Sequence, residues 1–70
     1  MDQSEIDRRF SYHAPSESTR ELHDIWRERE KDYAGLIEGI AGGDTREKSL
    51  AFTKLEELVF WVHAHIARNL

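Results

Sequence analysis

The chain has 70 residues, of which 39% are hydrophobic and 34% charged, with a formal net charge of -4. This length excludes two independent domains, because one core of this size already buries only about 60% of the surface of the unfolded chain. The sequence has no cysteine, which excludes disulfides and thiolate metal sites. No apolar run approaches the ~20 residues that span a bilayer, and the charged first ten residues do not resemble a secretory signal. We therefore expect one cytosolic domain over residues 1–70.

The N-terminal segment predicts a short helix. Ser4 can cap it, and Ile6 and Phe10 lie four residues apart on one face. Pro15 disfavours helical backbone at the residue before it, so the helix should end before residues 11–15.

The second segment predicts an amphipathic helix of about 24 residues, from the spacing of its apolar side chains. It begins at Ser16 or Ser18, and residues 18–21 have the form of a capping box. Gly42 and Gly43 supply the left-handed conformation that commonly ends a helix. The apolar stripe comprises Leu22, Ile25, Trp26, Tyr33, Leu36, Ile37 and Ile40.

The third segment predicts a helix that begins directly after Gly42 and Gly43. Residues 44–47 have the form of a second capping box, with Asp44 as the cap. Its apolar residues exceed one stripe, so we expect the second helix to cover one side and other copies of the chain to cover the rest. The stripe comprises Ala51, Leu55, Leu58, Val62 and Ile66, and the surplus comprises Phe52, Val59, Phe60 and Trp61. The predicted fold is all-α: a short N-terminal helix, then an antiparallel helical hairpin, assembled into a homo-oligomer.

Metal and catalytic sites find no support in the residue pattern. His63 and His65 are two apart on a helix and point about 200° away from each other, so they cannot chelate one ion together. Ser49 and Thr53 share a helix face, but no base with an orienting partner is readable near them, as a nucleophile requires. We expect a protein without enzyme activity, metal or cofactor.

Basic side chains on the predicted second helix favour an anionic ligand or an acidic partner. Arg27 and Lys31 lie four residues apart on the same helix face and repel each other. Helix propensity alone would not select such a like-charge pair. Arg29 falls on the apolar stripe, where it fits an interface ion pair as well as a ligand contact. Tyr12 and His13 lie in the break before Pro15, where an aromatic ring either covers the core or stacks on a base. The 14 acidic residues argue against DNA binding.

Two long blocks of this sequence resemble one known family. They are residues 9–15 (RFSYHAP) and residues 46–57 (REKSLAFTKLEE), followed by Trp61 and by residues 66–69 (IARN). From about residue 8 to residue 69 the chain resembles the helical-hairpin domain of phage anti-CBASS and anti-Thoeris sponge proteins, and the anti-CBASS branch most closely.

The resemblance implies a homo-hexamer that binds cyclic nucleotide second messengers of bacterial immunity between protomers, in the host cell cytoplasm. Members sequester the ligand without cleaving it. The usual ligands are cyclic dinucleotides such as 3′,3′-cGAMP; some members bind cyclic trinucleotides in a second pocket, and anti-Thoeris relatives bind cyclic ADP-ribose isomers.

The same resemblance assigns roles to individual residues. Tyr12, beside His13, would stack on a base, and Arg27 or else Arg29 would meet a base or phosphate. Arg68 would contact phosphate in the trinucleotide-type pocket. Lys48 and Thr53 are further ligand-binding candidates. The alternative function is a small oligomeric adaptor or inhibitor that binds a host protein through the apolar surface of the third helix.

Overall fold

A computed structural model of the chain describes residues 1–11 and 16–70. Within these ranges the chain forms helices α1 (Gln3–Phe10), α2 (Glu17–Glu38) and α3 (Arg46–Asn69) and no strand. Helices α2 and α3 form the antiparallel hairpin, and α1 contacts α3. The predicted all-helical hairpin is confirmed. Across the described ranges, no helix combines the length and the apolar character needed to cross a membrane.

The caps of α1 and α3 differ from the predicted ones. The Asp2 side chain, and not that of Ser4, accepts from the amide three residues ahead at 2.8 Å. Thr45 caps α3 in the same way at 3.1 Å, one residue after the predicted Asp44. Aspartate, serine and threonine are all effective caps, so the one whose backbone is extended at the helix entrance takes this role.

Helix α2 begins at the earlier of its two predicted starts. Ser16 and Thr19 form a reciprocal capping box, in which the Ser16 amide donates to the Thr19 hydroxyl at 2.8 Å. The predicted box over residues 18–21 is therefore wrong. At the other end, α2 stops at Gly39, earlier than predicted. Gly42 and Gly43 do have positive φ angles, of 123° and 78°, but they turn the connection to α3 and do not end the helix.

The seam between α2 and α3 holds the small core, in which Val59 and Ile66 are only 3% and 4% exposed. Around them lie half-buried side chains from both helices: Leu22, His23, Trp26, Ala34 and Ile37 on α2, and Phe52, Leu55, Val62 and His63 on α3. The predicted stripe of α3 is thus displaced. Phe52 and Val59 face α2, whereas Ala51 and Leu58 are exposed, because α3 is rotated about its axis relative to the predicted contact.

Much of the predicted stripe of α2 is left uncovered. The exposed members are Ile25, Tyr33, Leu36 and Ile40; Leu58 of α3 joins them, and we call this set the apolar face. The Cα trace measures 50 × 29 × 10 Å, which is a single layer of helices. A single layer has no second layer to bury an apolar face, which is how domains normally complete a core.

A pair of histidines, one from each helix, lies in the seam on the side away from the apolar face. The Nδ1 atoms of His23 and His63 are 2.5 Å apart and their ring centroids 4.7 Å apart. These distances place the two nitrogens near the line between the ring centres, so the rings meet edge to edge and one imidazole donates a hydrogen bond to the other. Burial, together with the nearby charges of His23 and Arg27, lowers the pKa of His63, and Glu30 opposes this only in part.

Candidate functional site

Helix α1 contacts α3, and the Arg8 side chain binds the end of α3. The Arg8 guanidinium donates through Nη1 to Oδ1 of Asn69 at 2.7 Å, and Nδ2 of Asn69 donates to the His65 carbonyl at 3.0 Å. These bonds hold the last turn of α1 beside the last two turns of α3. The basic residues that end the two helices therefore lie close together.

A pocket of about 400 Å³ opens at this junction, and we call it the arginine pocket. On α3, Trp61, His65 and Arg68 follow one another at intervals of four and three residues, so they share one side of the helix. The small side chain of Ala64 leaves room between them. The lining residues are Arg8, Arg9, Trp61, Ala64, His65, Arg68 and Asn69.

Charge in the arginine pocket is dominated by its three guanidinium groups. Arg8 and Arg9 stand in the last turn of α1 and Arg68 in that of α3, where positive side chains complement the helix dipole. Glu5 pairs with both arginines of α1: one carboxylate oxygen lies 2.8 Å from Nη2 of Arg8 and the other 2.7 Å from Nε of Arg9. These hydrogen bonds hold the pKa of the Glu5 carboxyl below its usual range.

Trp61 adds a flat surface to this charge. Its side chain is 58% exposed, and the edge contact with Phe60, with centroids 5.1 Å apart, helps to orient its ring. Guanidinium forks bind phosphate, and aromatic rings stack on nucleobases. The pocket thus combines the two kinds of group that a nucleotide needs.

In the described part of the chain, no three His, Asp or Glu side chains lie close enough to hold a metal ion. His63 and His65 diverge as predicted, since His63 contacts His23 in the seam and His65 lines the arginine pocket.

The predicted site residues are spread over several surfaces of one protomer. Arg68 lies in the arginine pocket, whereas Tyr12 and His13 lie outside the described residues. Arg29 lines a separate groove of about 430 Å³, beside Trp26 and other apolar side chains. Its own partner is Asp32, at 3.3 Å.

Three other predicted site residues, Arg27, Lys48 and Thr53, each bind a nearby group of the same chain. Arg27 lies on the side of α2 nearer the histidine pair and is 3.1 Å from an oxygen of Asp24. The half-buried Lys48 donates to two carbonyls at the end of α2 and in the turn, at 3.2 and 2.8 Å, so it holds the hairpin connection. The Thr53 hydroxyl donates to the carbonyl one turn earlier, at 3.1 Å. One chain does not bring these three residues to the arginine pocket.

Sequence reasoning did not assign Arg8, Arg9 or His65 to a site, and it placed Trp61 only on the apolar surface of the third helix. Part of the signal is present in the sequence, because Trp61, His65 and Arg68 have helical spacing. The missing part is the docking of α1 beside them, which includes a hydrogen bond between residues 61 positions apart.

Together, the fold and this pocket define a class: a small helical-hairpin protein with an arginine- and tryptophan-lined pocket for a nucleotide-like anion. Comparison with known families then identifies the chain. The model of the family described as "Acb2/Tad1, hairpin domain" matches residues 1–67. The protein therefore belongs to this anti-CBASS and anti-Thoeris sponge family, which implies binding of cyclic oligonucleotide signals. Neither the curated proteins nor the solved structures gave a match.

Proposed function

We propose that this protein sequesters cyclic oligonucleotide messengers of bacterial immunity in the host cytoplasm and releases them unchanged. Its ligands are cyclic dinucleotides such as 3′,3′-cGAMP, and cyclic trinucleotides. The observation that carries the proposal is the arginine pocket, which Arg8, Arg9 and Arg68 line together with the exposed Trp61. Family membership supports the same class of ligand.

The chemistry of the ligand matches the pocket. A cyclic dinucleotide presents two phosphates and two flat bases, and a cyclic trinucleotide presents three of each. Guanidinium groups bind the phosphates in a bidentate manner, and stacking on an aromatic ring holds a base without requiring one particular base. The described residues of the pocket offer one large ring, that of Trp61, so we infer that enclosing a whole ligand requires a second copy.

We propose further that copies assemble into a homo-hexamer. The 10 Å layer and the apolar face support this assembly, since water otherwise covers Leu36, which is 67% exposed, and its neighbours. Sites at the resulting interfaces would bring together residues that are separate in one chain, such as Arg27 and the arginine pocket. A two-fold axis through such a site supplies matching groups to both halves of a symmetric ligand.

Sequestration without cleavage is part of the proposal. The described lining of the pocket comprises arginines, an indole, an imidazole and an amide, and the neighbouring Glu5 carboxylate is paired with two arginines. A carboxylate held in this way is a poor general base, because its pKa lies below the usual range.

An adaptor that binds a host protein is the second candidate. Phe60 and Trp61 favour it, because both are more than half exposed on α3. The two functions predict different variants to be inactive. Loss of Phe60 should abolish adaptor binding, whereas ligand sequestration should tolerate it.

Isothermal titration calorimetry with 3′,3′-cGAMP and with a cyclic trinucleotide tests the proposal. We expect tight binding by the wild-type protein, and loss of most dinucleotide binding in Tyr12→Ala and Arg27→Ala without a change in oligomeric mass. Absence of binding to both ligands, followed by absence of binding to cyclic ADP-ribose isomers, would refute sequestration and favour the adaptor.

A further inference from the structure

One carboxylate already binds two of the three arginines of the pocket. Glu5 uses both oxygens on Arg8: Nη2 lies 2.8 Å from each, and Nε lies 3.2 Å from one of them. Nη1 of the same guanidinium is bound to Asn69. The whole Nε–Nη2 edge of Arg8, which is the edge that binds phosphate in a bidentate manner, is therefore filled by the protein itself.

Arg9 is held by the same group. Its Nε donates to the Glu5 carboxylate at 2.7 Å, so one acidic side chain bridges both arginines of α1. Arg68, the third guanidinium of the pocket, forms no ion pair with any residue in the described ranges. The pocket thus contains two arginines whose charge is partly neutralised and one whose charge is not.

We propose that Glu5 is a specificity-determining residue that competes with ligand phosphates for Arg8 and Arg9. This inference rests on the proposed function. In each copy of the pocket, Glu5 offsets one of the three guanidinium charges. Without Glu5, each copy offers one more positive charge to the phosphates of its ligand. A cyclic trinucleotide carries one phosphate more than a cyclic dinucleotide, so Glu5 disfavours the trinucleotide more.

The test is Glu5→Gln, which keeps the shape of the side chain and removes its charge. Glutamine is as acceptable as glutamate at the third position of a helix, so α1 should persist. The matched control is Asp7→Asn, which makes the same charge change on the same helix at a residue that accepts from Gln3 and not from an arginine. Circular dichroism and native mass establish that each variant keeps its helices and assembly.

Calorimetry with 3′,3′-cGAMP and with a cyclic trinucleotide gives the readout. Because exposed ion pairs are weak, we expect Glu5→Gln to tighten trinucleotide binding by about threefold to tenfold, and dinucleotide binding by less. Asp7→Asn should change both by less than about twofold, since its charge is screened by solvent. The salt dependence of binding should become steeper only in Glu5→Gln, a change that a purely structural role would not produce.

Glu5→Asp supplies a second variant. It keeps the negative charge but is too short to bridge both guanidiniums, so its affinities should lie between those of the wild type and Glu5→Gln. If Glu5→Gln binds both ligands as well as the wild type or less well, Glu5 only positions the arginines and the inference is overturned. If the wild-type protein binds neither ligand, the proposed function itself fails, so the two failures are distinguishable.

Discussion

Arg68→Ala should weaken ligand binding more than any other single change in the arginine pocket. Arg8 and Arg9 are bridged by Glu5, so Arg68 is the guanidinium whose charge is least neutralised within the described residues. A hydrogen bond to a charged group contributes about 1.5–3 kcal/mol, and each 1.4 kcal/mol is a factor of ten. We therefore expect Arg68→Ala to lower the affinity for the cyclic nucleotides by about tenfold to a hundredfold, measured by calorimetry.

Arg46→Ala is the matched control for this variant. Arg46 is an exposed arginine at the first position of the same helix, about 33 Å from Arg68 at 1.5 Å per residue. Its loss should leave affinity unchanged. Arg68→Lys should recover part of the binding, because lysine keeps the charge but lacks the planar fork. Wild-type affinity of Arg68→Ala for both dinucleotide and trinucleotide, with helicity and mass intact, would refute the assignment of the pocket.

Three further predictions concern stacking, pH and the hairpin turn. Trp61→Ala should lose about fivefold to a hundredfold in affinity, as expected for one stacked base, whereas Phe60→Ala should lose less than threefold; equal losses in calorimetry would contradict a stacking role. Because the fold lowers the pKa of His63 from 6.5, the unfolded state binds more protons below that pH, and the free energy of unfolding should fall as pH drops below 6.5. Thermal melts across this range should show the fall, and His63→Gln should flatten it; an equal slope in the variant would contradict a lowered pKa of His63. Lys48→Met should lower the free energy of unfolding by about 1 kcal/mol in urea, since two carbonyls lose their donor, and leave ligand affinity intact. Reduced affinity at unchanged stability would instead make Lys48 a ligand contact.

The sequence was sufficient to predict the helices, but not to predict which side of each helix packs in the seam. Apolar spacing and capping residues predicted the hairpin, and α3 extends almost to the end of the chain as expected. The spacing could not show which part of a wide apolar surface meets the partner helix. Phe52 and Val59 lie in the seam because contact depends on the relative rotation of α2 and α3, which is a tertiary property.

The site was less predictable, because it is assembled from distant parts of the chain. Arg68 was assigned through family resemblance and does line the arginine pocket. Arg8 and Arg9 join it because α1 docks against the end of α3, where Arg8 binds Asn69, and this docking leaves no periodic signal in the sequence. The role of Lys48 in the turn likewise depends on where α2 ends, and the sequence placed that end too late.

Recovery of the ligand after binding tests the central claim most directly. The wild-type protein, in excess, is incubated with 3′,3′-cGAMP or a cyclic trinucleotide, and the free ligand is measured by equilibrium dialysis. The protein is then heat-denatured and the released nucleotide is chromatographed. The proposal predicts that free ligand is depleted and that the full amount returns intact after heating. Depletion with recovery only of linear or shorter products would contradict sequestration and show an enzyme.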